Sequence, residues 1–266
     1  MRHGLRRIIV SAFIRTSGLG VILLACCVAH FAASINEEQN HSTIICREEV
    51  PAASREALAQ RLRLITGWPS LRFDDQGSLR VGAGTPSAGS ITARRLLSNT
   101  LSGNTILILE DASNRSDVAF SRVVPGRWKN DAFEKRPVFV VLIDFADFDH
   151  LLGDRLAREA FNAGWALLHE IDHAVNDSVD ASGLGRAGEC EDHINQMRRE
   201  CHLPERSEYF FTFFPHSEES DFRTKLVRLV FYREEASANK RRRYWLMWDA
   251  QQVGGLTETR QIAALR

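Results

Sequence analysis

The segment 154–176 constrains the fold most strongly, because its apolar residues spread around most of the circumference of a helix. A helix that is apolar nearly all round lies inside a protein rather than on its surface. This segment nevertheless contains the polar sequence His169-Glu170-Ile171-Asp172-His173. Buried imidazole and carboxylate groups are costly without partners. We therefore expect the chain to bury this helix and to provide partners for its polar residues.

A zinc ion is the partner that this spacing favours. His169 and His173 are four residues apart, so both imidazoles project from one helix face and can occupy two positions of a tetrahedral zinc. Glu170 follows the first histidine, which turns its carboxylate toward a zinc-activated water whose proton it can accept. The pattern predicts zinc as the cofactor, His169 and His173 as ligands and Glu170 as the general base. The alternative is a core helix whose polar residues are paired with protein groups.

On these residues the chain resembles the zincin metallopeptidases, in which a strand precedes a helix that carries His-Glu-x-x-His. The resemblance runs from a strand near Val138 through the helix that follows the motif. The metzincin subgroup is not matched, because Asn176 replaces its glycine and Val179 replaces its third ligand. The gluzincin subgroup, whose third ligand is a glutamate on a following helix, fits better. The resemblance implies zinc-dependent hydrolysis of a peptide or protein substrate.

Residues at the start of the next predicted helix, 187–202, are the main candidates for the third zinc ligand. Glu189 opens this helix close to the chain reversal and is the favoured candidate. Glu191 points about 200° away around the helix, so only one of the two can face the metal. Less favoured candidates in the same region are His193, Asp177, Asp180 and Asp192. The aspartate that follows the ligand glutamate by four residues in gluzincins is absent here.

Residues that assist the reaction are less well defined by spacing. Zincins often stabilise the oxyanion with a Tyr, His or Arg side chain. The candidates that follow the second helix are Tyr209, His202, His216 and Arg206. Asp172 or Asp177 could orient a ligand histidine through its other ring nitrogen, although a helix-surface role is the simpler interpretation.

Periodicity elsewhere predicts a mixture of helices and strands. Helices are expected at 51–66 and 90–101, and strands at 105–110, 118–124 and 137–143. Two alternating runs, 225–232 and 244–248, predict a C-terminal β-hairpin with a long charged loop. We therefore expect an α+β fold, a minimal zincin-like domain over 67–266 with a small mixed sheet and a buried active-site helix. A polar lead-in and a short helix occupy 35–66.

The N-terminus has the pattern of an export signal. Residues 1–34 combine basic residues, an apolar stretch at 19–33 and small residues before position 35. The apolar stretch is shorter than the about 20 residues of a spanning helix. A cleaved signal is favoured, with a lipoprotein signal at Cys26 or a membrane anchor as alternatives. The protein is expected to be bacterial and exported, either periplasmic, secreted or attached to a membrane through its N-terminus. Three cysteines follow the signal, so no disulfide framework is predicted.

Charge argues against one class of partner. The chain has 34 Lys and Arg against 34 Asp and Glu, whereas a dedicated nucleic-acid binder usually has a basic excess. The basic run 240–243 is accordingly interpreted as a solvated hairpin loop rather than a phosphate site. The aromatic run 209–214 is interpreted as core, with the lining of a substrate cleft as the alternative. Two function classes remain. The first is a zinc metallopeptidase, and the second is an exported zinc-binding structural or interaction protein in which a fourth protein ligand replaces the water.

Overall fold

The computed structural model describes residues 43–113, 115–127, 136–213, 226–235 and 240–254. Their helices and small sheets form an α+β fold, as the sequence predicts. The helices are α1 (Ala52–Thr66), α2 (Ile91–Ser102), α3 (Arg155–Glu159), α4 (Ala163–Asn176) and α5 (Glu189–Glu200). The strands are β1 (Ile44–Cys46), β2 (Leu71–Phe73), β3 (Leu79–Val81), β4 (Ile106–Asp111), β5 (Ser121–Pro125), β6 (Val138–Ile143), β7 (Leu152–Gly153), β8 (Glu205–Arg206), β9 (Thr212–Phe213), β10 (Leu226–Glu235) and β11 (Lys240–Asp249).

The segment 154–176 forms two helices, so the prediction of one continuous helix is wrong. The chain is extended at Asn162, whose side chain accepts a hydrogen bond from a backbone N–H in the first turn of α4. This cap starts a new helix. Asp154 is the N-cap residue of α3, but its side chain accepts a hydrogen bond from the backbone N–H of Trp245 rather than from the helix. Helix α4 ends at Asn176, as predicted, and the next residue has a left-handed backbone.

One sheet supports the motif helix. Its strand order is β1-β4-β6-β5, with β1, β4 and β6 parallel and β5 antiparallel at the edge. The first four residues of β4 and all of β6 are apolar, which is typical of strands that are covered on both faces. Helix α4 packs against β5 and β6. The edge strand β5 therefore lies directly beside the helix that carries the motif.

Three helices, α1, α2 and α5, pack around α4 and complete the main core. Gly164 allows α1 to approach closely, since a Cβ there would lie 2.8 Å from Arg61 Cβ. The apolar side chains of α1 that enter this core are Leu58, Ala59, Leu62 and Ile65. Strand β1 and helix α1, which the sequence suggests as a lead-in at 35–66, thus share a core with the motif helix.

The second sheet is built on the predicted C-terminal hairpin. Strands β10 and β11 pair over ten residues each, and β7, β8 and β9 add short pairings at their edges. The hairpin strands are longer and its loop shorter than predicted, because cross-strand pairing continues through the basic residues 240–243. The inner face of the hairpin forms a second apolar cluster with Phe120, Ala157 and Ala160.

The predicted export signal, 1–34, lies outside the described residues. Within the described part of the chain, no helix combines the length and apolar character needed to cross a membrane. Cys46, Cys190 and Cys201 are free thiols.

Candidate metal centre

The two motif histidines direct one nitrogen each to a common point. Their Nε2 atoms are 3.1 Å apart. A tetrahedral zinc with bonds of about 2.05 Å would separate two ligand nitrogens by about 3.3 Å. The other ring nitrogen of His173, Nδ1, donates to the carbonyl oxygen of Ser178 at 2.7 Å. This bond fixes the ring and leaves Nε2 directed at the shared point.

Asp180, in the loop between α4 and α5, brings a carboxylate to the same point. Its Oδ1 lies 3.1 Å from His169 Nε2, and its Oδ2 lies 3.4 Å from His173 Nε2. Oδ1 is shielded from water, and no group in the described ranges donates a well-aligned hydrogen bond to it. A buried carboxylate oxygen without a donor is costly unless a cation faces it. The two nitrogens and the carboxylate are therefore spaced and oriented as three metal ligands would be.

The pKa shifts of His173 and Asp180 favour the charged form of each group. Burial lowers the pKa of His173, but the hydrogen bond and charge of Asp180, with the Ser178 carbonyl, outweigh burial and raise it to about 9. Burial raises the pKa of Asp180, yet the adjacent histidines outweigh it and hold that pKa far below its usual range. The two groups thus stabilise each other's charged forms, and the Asp180 carboxylate faces the Nε2 atoms of both histidines.

The acidic residues predicted as third ligands lie elsewhere. Glu189 is exposed in the first turn of α5 and is not part of the cluster. Glu191 is buried, but its Oε2 lies 3.6 Å from Nδ1 of His169, the nitrogen on the other side of the ring from Nε2. His193 pairs with Asp172 at 2.9 Å. Asp180, one of the less favoured candidates from the sequence, takes the place expected for Glu189.

Cys190 is the remaining potential ligand. Its Sγ lies within 4.8 Å of the ligand atoms of His169, His173 and Asp180. The thiol donates to the carbonyl oxygen of His169 at 3.4 Å, and both burial and the nearby carboxylates raise the pKa of Cys190. Zinc binds the thiolate, so Cys190 would have to release this proton to become a ligand. The contacts of Cys190 are thus those of a core residue.

Glu170 faces the same region from the motif helix. Its side chain is buried, and its Oε1 accepts a hydrogen bond of 2.6 Å from the hydroxyl of Ser121, the first residue of β5. Ser121 carries no signal for this role in the sequence, since it lies 49 residues before Glu170 in the chain. The contact fixes one carboxylate oxygen of Glu170 beside the cluster.

Tyr209 is the oxyanion candidate that the structure brings to the cluster. Its ring stacks on His169, with centroids 6.1 Å apart and planes inclined by 19°. Burial and the neighbouring Asp180 raise the pKa of Tyr209 well above its usual value, so the hydroxyl keeps its proton. Arg206 stacks over the Tyr209 ring but is bonded to Glu191, and His202 is exposed beyond α5. His216 lies outside the described residues.

A cavity of about 490 Å³ is bordered by the two motif histidines, Glu170, Asp180, Ser121 and Tyr209. One wall is polar and contains His169, Glu170, His173 and Asp180. The aromatic part of the lining contains Phe120, Phe161, Phe210, Phe211 and Trp248. A cavity that joins an apolar wall to a few converging polar groups is the usual form of a small-molecule or peptide site. Part of the aromatic run predicted as core thus lines this cavity.

Comparison with known proteins identifies no relative: no family model, no curated protein and no solved structure matches this chain.

Proposed function

We propose that this protein is a zinc-dependent hydrolase, specifically a metallopeptidase, with His169, His173 and Asp180 as the zinc ligands. The observation that carries the proposal is the spacing of the ligand atoms, which lie 3.1–3.4 Å apart around one point. These three ligands leave the fourth position of a tetrahedral zinc open, as in catalytic zinc sites. Zinc at this point supplies a Lewis acid and a readily deprotonated water.

Glu170 is the proposed general base. It neighbours the cluster, borders the same cavity and has one oxygen held by Ser121. Its second oxygen can accept a proton from water and return it to a leaving amine. Tyr209, which retains its proton beside the cluster, can donate a hydrogen bond to charge that develops on a carbonyl oxygen.

A peptide is the favoured substrate because an edge strand borders the cavity. Strand β5 pairs with β6 on one side, and on the other side it pairs with no strand among the described residues. Unpaired backbone groups at a sheet edge can bind an extended peptide main chain. Ser121 and Val123 of this strand line the cavity beside Glu170. A peptide that followed β5 would pass in front of the proposed base.

The second candidate is a zinc protein without hydrolase activity. The observation that favours it is Cys190, which is close enough to the cluster to be considered as a fourth ligand. A fourth protein ligand would displace the water and make the site structural.

Hydrolysis of a fluorogenic peptide mixture by the zinc-loaded protein separates the two candidates. The parent should hydrolyse peptides, and Glu170→Gln should retain zinc but lose at least 100-fold in rate, since general base catalysis contributes about 10²–10⁴-fold. Equal rates in parent and variant would remove Glu170 as the base. Full zinc content without hydrolysis in the parent would favour the structural candidate.

A further inference from the structure

The outer face of the β10–β11 hairpin carries a row of arginines that alternates with aromatic rings. Along β10, Val227, Leu229 and Phe231 are buried, whereas the residues between them are partly exposed. The register pairs Tyr232 with Arg243. The row, which we call the Arg–aromatic ladder, consists of Arg228, Tyr232, Arg241, Arg243 and Trp245. It therefore lies on the face opposite to the apolar core.

Stacking orders the ladder. The guanidinium carbon of Arg241 is 4.2 Å from the centroid of the Tyr232 ring. Arg243 lies between two rings, 5.5 Å from Tyr232 and 5.3 Å from Trp245, and Arg228 lies 4.8 Å from Trp245. A guanidinium that stacks through its face keeps its N–H groups available around its edge. The ladder thus holds cations and amphipathic rings in one preformed row.

Charge is concentrated around the ladder although the whole chain is neutral. Among residues 228–235 and 240–247, the face of the ladder carries three arginines, Arg228, Arg241 and Arg243, and one glutamate, Glu234. Arg241 and Arg243 are both exposed. A positive surface of this kind is complementary to a surface of phosphate groups.

We propose that the Arg–aromatic ladder docks this protein on an anionic lipid surface. Arg241 and Arg243 contact headgroup phosphates, for which the planar guanidinium is well suited. Tyr232 and Trp245 lie at the level of the headgroups, where aromatic side chains with a polar edge are favoured. Lipid is favoured over nucleic acid, because the expected export of the chain would bring it to a membrane surface rather than to nucleic acid. This inference is independent of the proposed peptidase activity.

Vesicle sedimentation tests the proposal with the full chain. The vesicles contain phosphatidylcholine alone or with 30% phosphatidylglycerol, and a labelled single-stranded 20-nucleotide DNA and its RNA equivalent serve as competing polyanions. The ladder variant is Arg241→Gln/Arg243→Gln. The matched control is Arg61→Gln/Arg95→Gln, which removes two exposed arginines from α1 and α2. The apolar N-terminal segment is present in every variant, so only differences between variants and between vesicle types are compared.

The parent and the control should bind anionic vesicles better than neutral ones, and binding should weaken as salt increases. The ladder variant should bind anionic vesicles about 25-fold more weakly, from roughly fivefold per basic residue near an anionic surface. Arg241→Lys/Arg243→Lys should restore most of the binding. The thermal unfolding midpoint of each variant verifies folding. Equal vesicle binding by the ladder and control variants would overturn the proposal, and so would binding of DNA or RNA without binding of anionic vesicles.

Discussion

Replacing Glu191 by glutamine removes a buried carboxylate that pairs with two arginines. Glu191 is 1% exposed, contacts Arg198 in an ion pair and accepts a hydrogen bond of 2.9 Å from Arg206. Burial raises the pKa of Glu191, but the two guanidinium charges outweigh burial and hold that pKa well below its usual range, so the carboxylate is ionised at neutral pH. The glutamine variant keeps the shape of the side chain and leaves two like charges close together in the core.

The expected loss is about 3 kcal/mol of unfolding free energy. Removing one partner of a buried ion pair costs about 3–5 kcal/mol, because the other charge is left buried without a partner. The lower end applies here, because the Arg206 side chain is 12% exposed and water can solvate part of its charge. Arg198, which is 2% exposed, has no such access to water. The loss is therefore dominated by Arg198, which also donates to the carbonyl oxygen of Ala160 and so links α5 to the end of α3.

Urea unfolding followed by tryptophan fluorescence measures this loss, with a chelator present so that metal binding does not stabilise either protein. Glu189→Gln is the matched control, since Glu189 is exposed two residues earlier on the same helix. Its unfolding free energy should stay within about 0.5 kcal/mol of the parent. A loss below about 1 kcal/mol for Glu191→Gln would refute the reasoning that the carboxylate stabilises the core by charge.

Three further variants test separate contacts. Glu200 accepts hydrogen bonds from Ser90 and Thr92 at the start of α2. These bonds outweigh burial and lower the pKa of Glu200 from 4.5 to about 2. The carboxylate therefore stabilises the fold above about pH 4.5 and ceases to do so as the pH falls through about 2. In urea unfolding, Glu200→Gln should therefore lower the unfolding free energy by about 1–2 kcal/mol at pH 7, and this difference from the parent should vanish toward pH 2. A difference in unfolding free energy that does not depend on pH would contradict this. Ser121→Ala should lower kcat for peptide hydrolysis about 10-fold with zinc content unchanged, because Glu170 loses the hydrogen bond that holds it. An unchanged kcat would exclude a positioning role for Ser121. Cys190→Ser should retain zinc by elemental analysis, and loss of zinc from the folded variant would make Cys190 a ligand.

Elements with strong local signals were predictable. Helix α2 has a serine at its start and a glycine after its end, and the structure places Ser90 as the N-cap and Gly103 as the C-cap. Strands β4 and β6 are continuous β-branched and apolar runs, and the hairpin strands alternate as a half-buried sheet requires. In each case short-range chemistry and tertiary packing favour the same structure.

Other features depended on contacts that a sequence does not display. The break before α4 arises because Asn162 caps a new helix, although apolar periodicity continues through it. Asp180 lies in a loop, where no helical period indicates which direction a side chain faces. The sequence therefore favoured Glu189 and Glu191, which lie on a predicted helix, over Asp180 as the third zinc ligand. Ser121 reaches Glu170 only because β5 turns antiparallel at the edge of the sheet beside α4.

Zinc content per chain tests whether His169, His173 and Asp180 bind a zinc ion. We would purify the full chain with Asp180→Ala and Glu189→Ala, remove and resupply zinc, and count bound zinc by elemental analysis, with circular dichroism as the check of folding. We expect about one zinc per chain in the parent and in Glu189→Ala, and little in Asp180→Ala. Zinc lost from Glu189→Ala but kept by Asp180→Ala, or no zinc in the folded parent, would contradict this expectation.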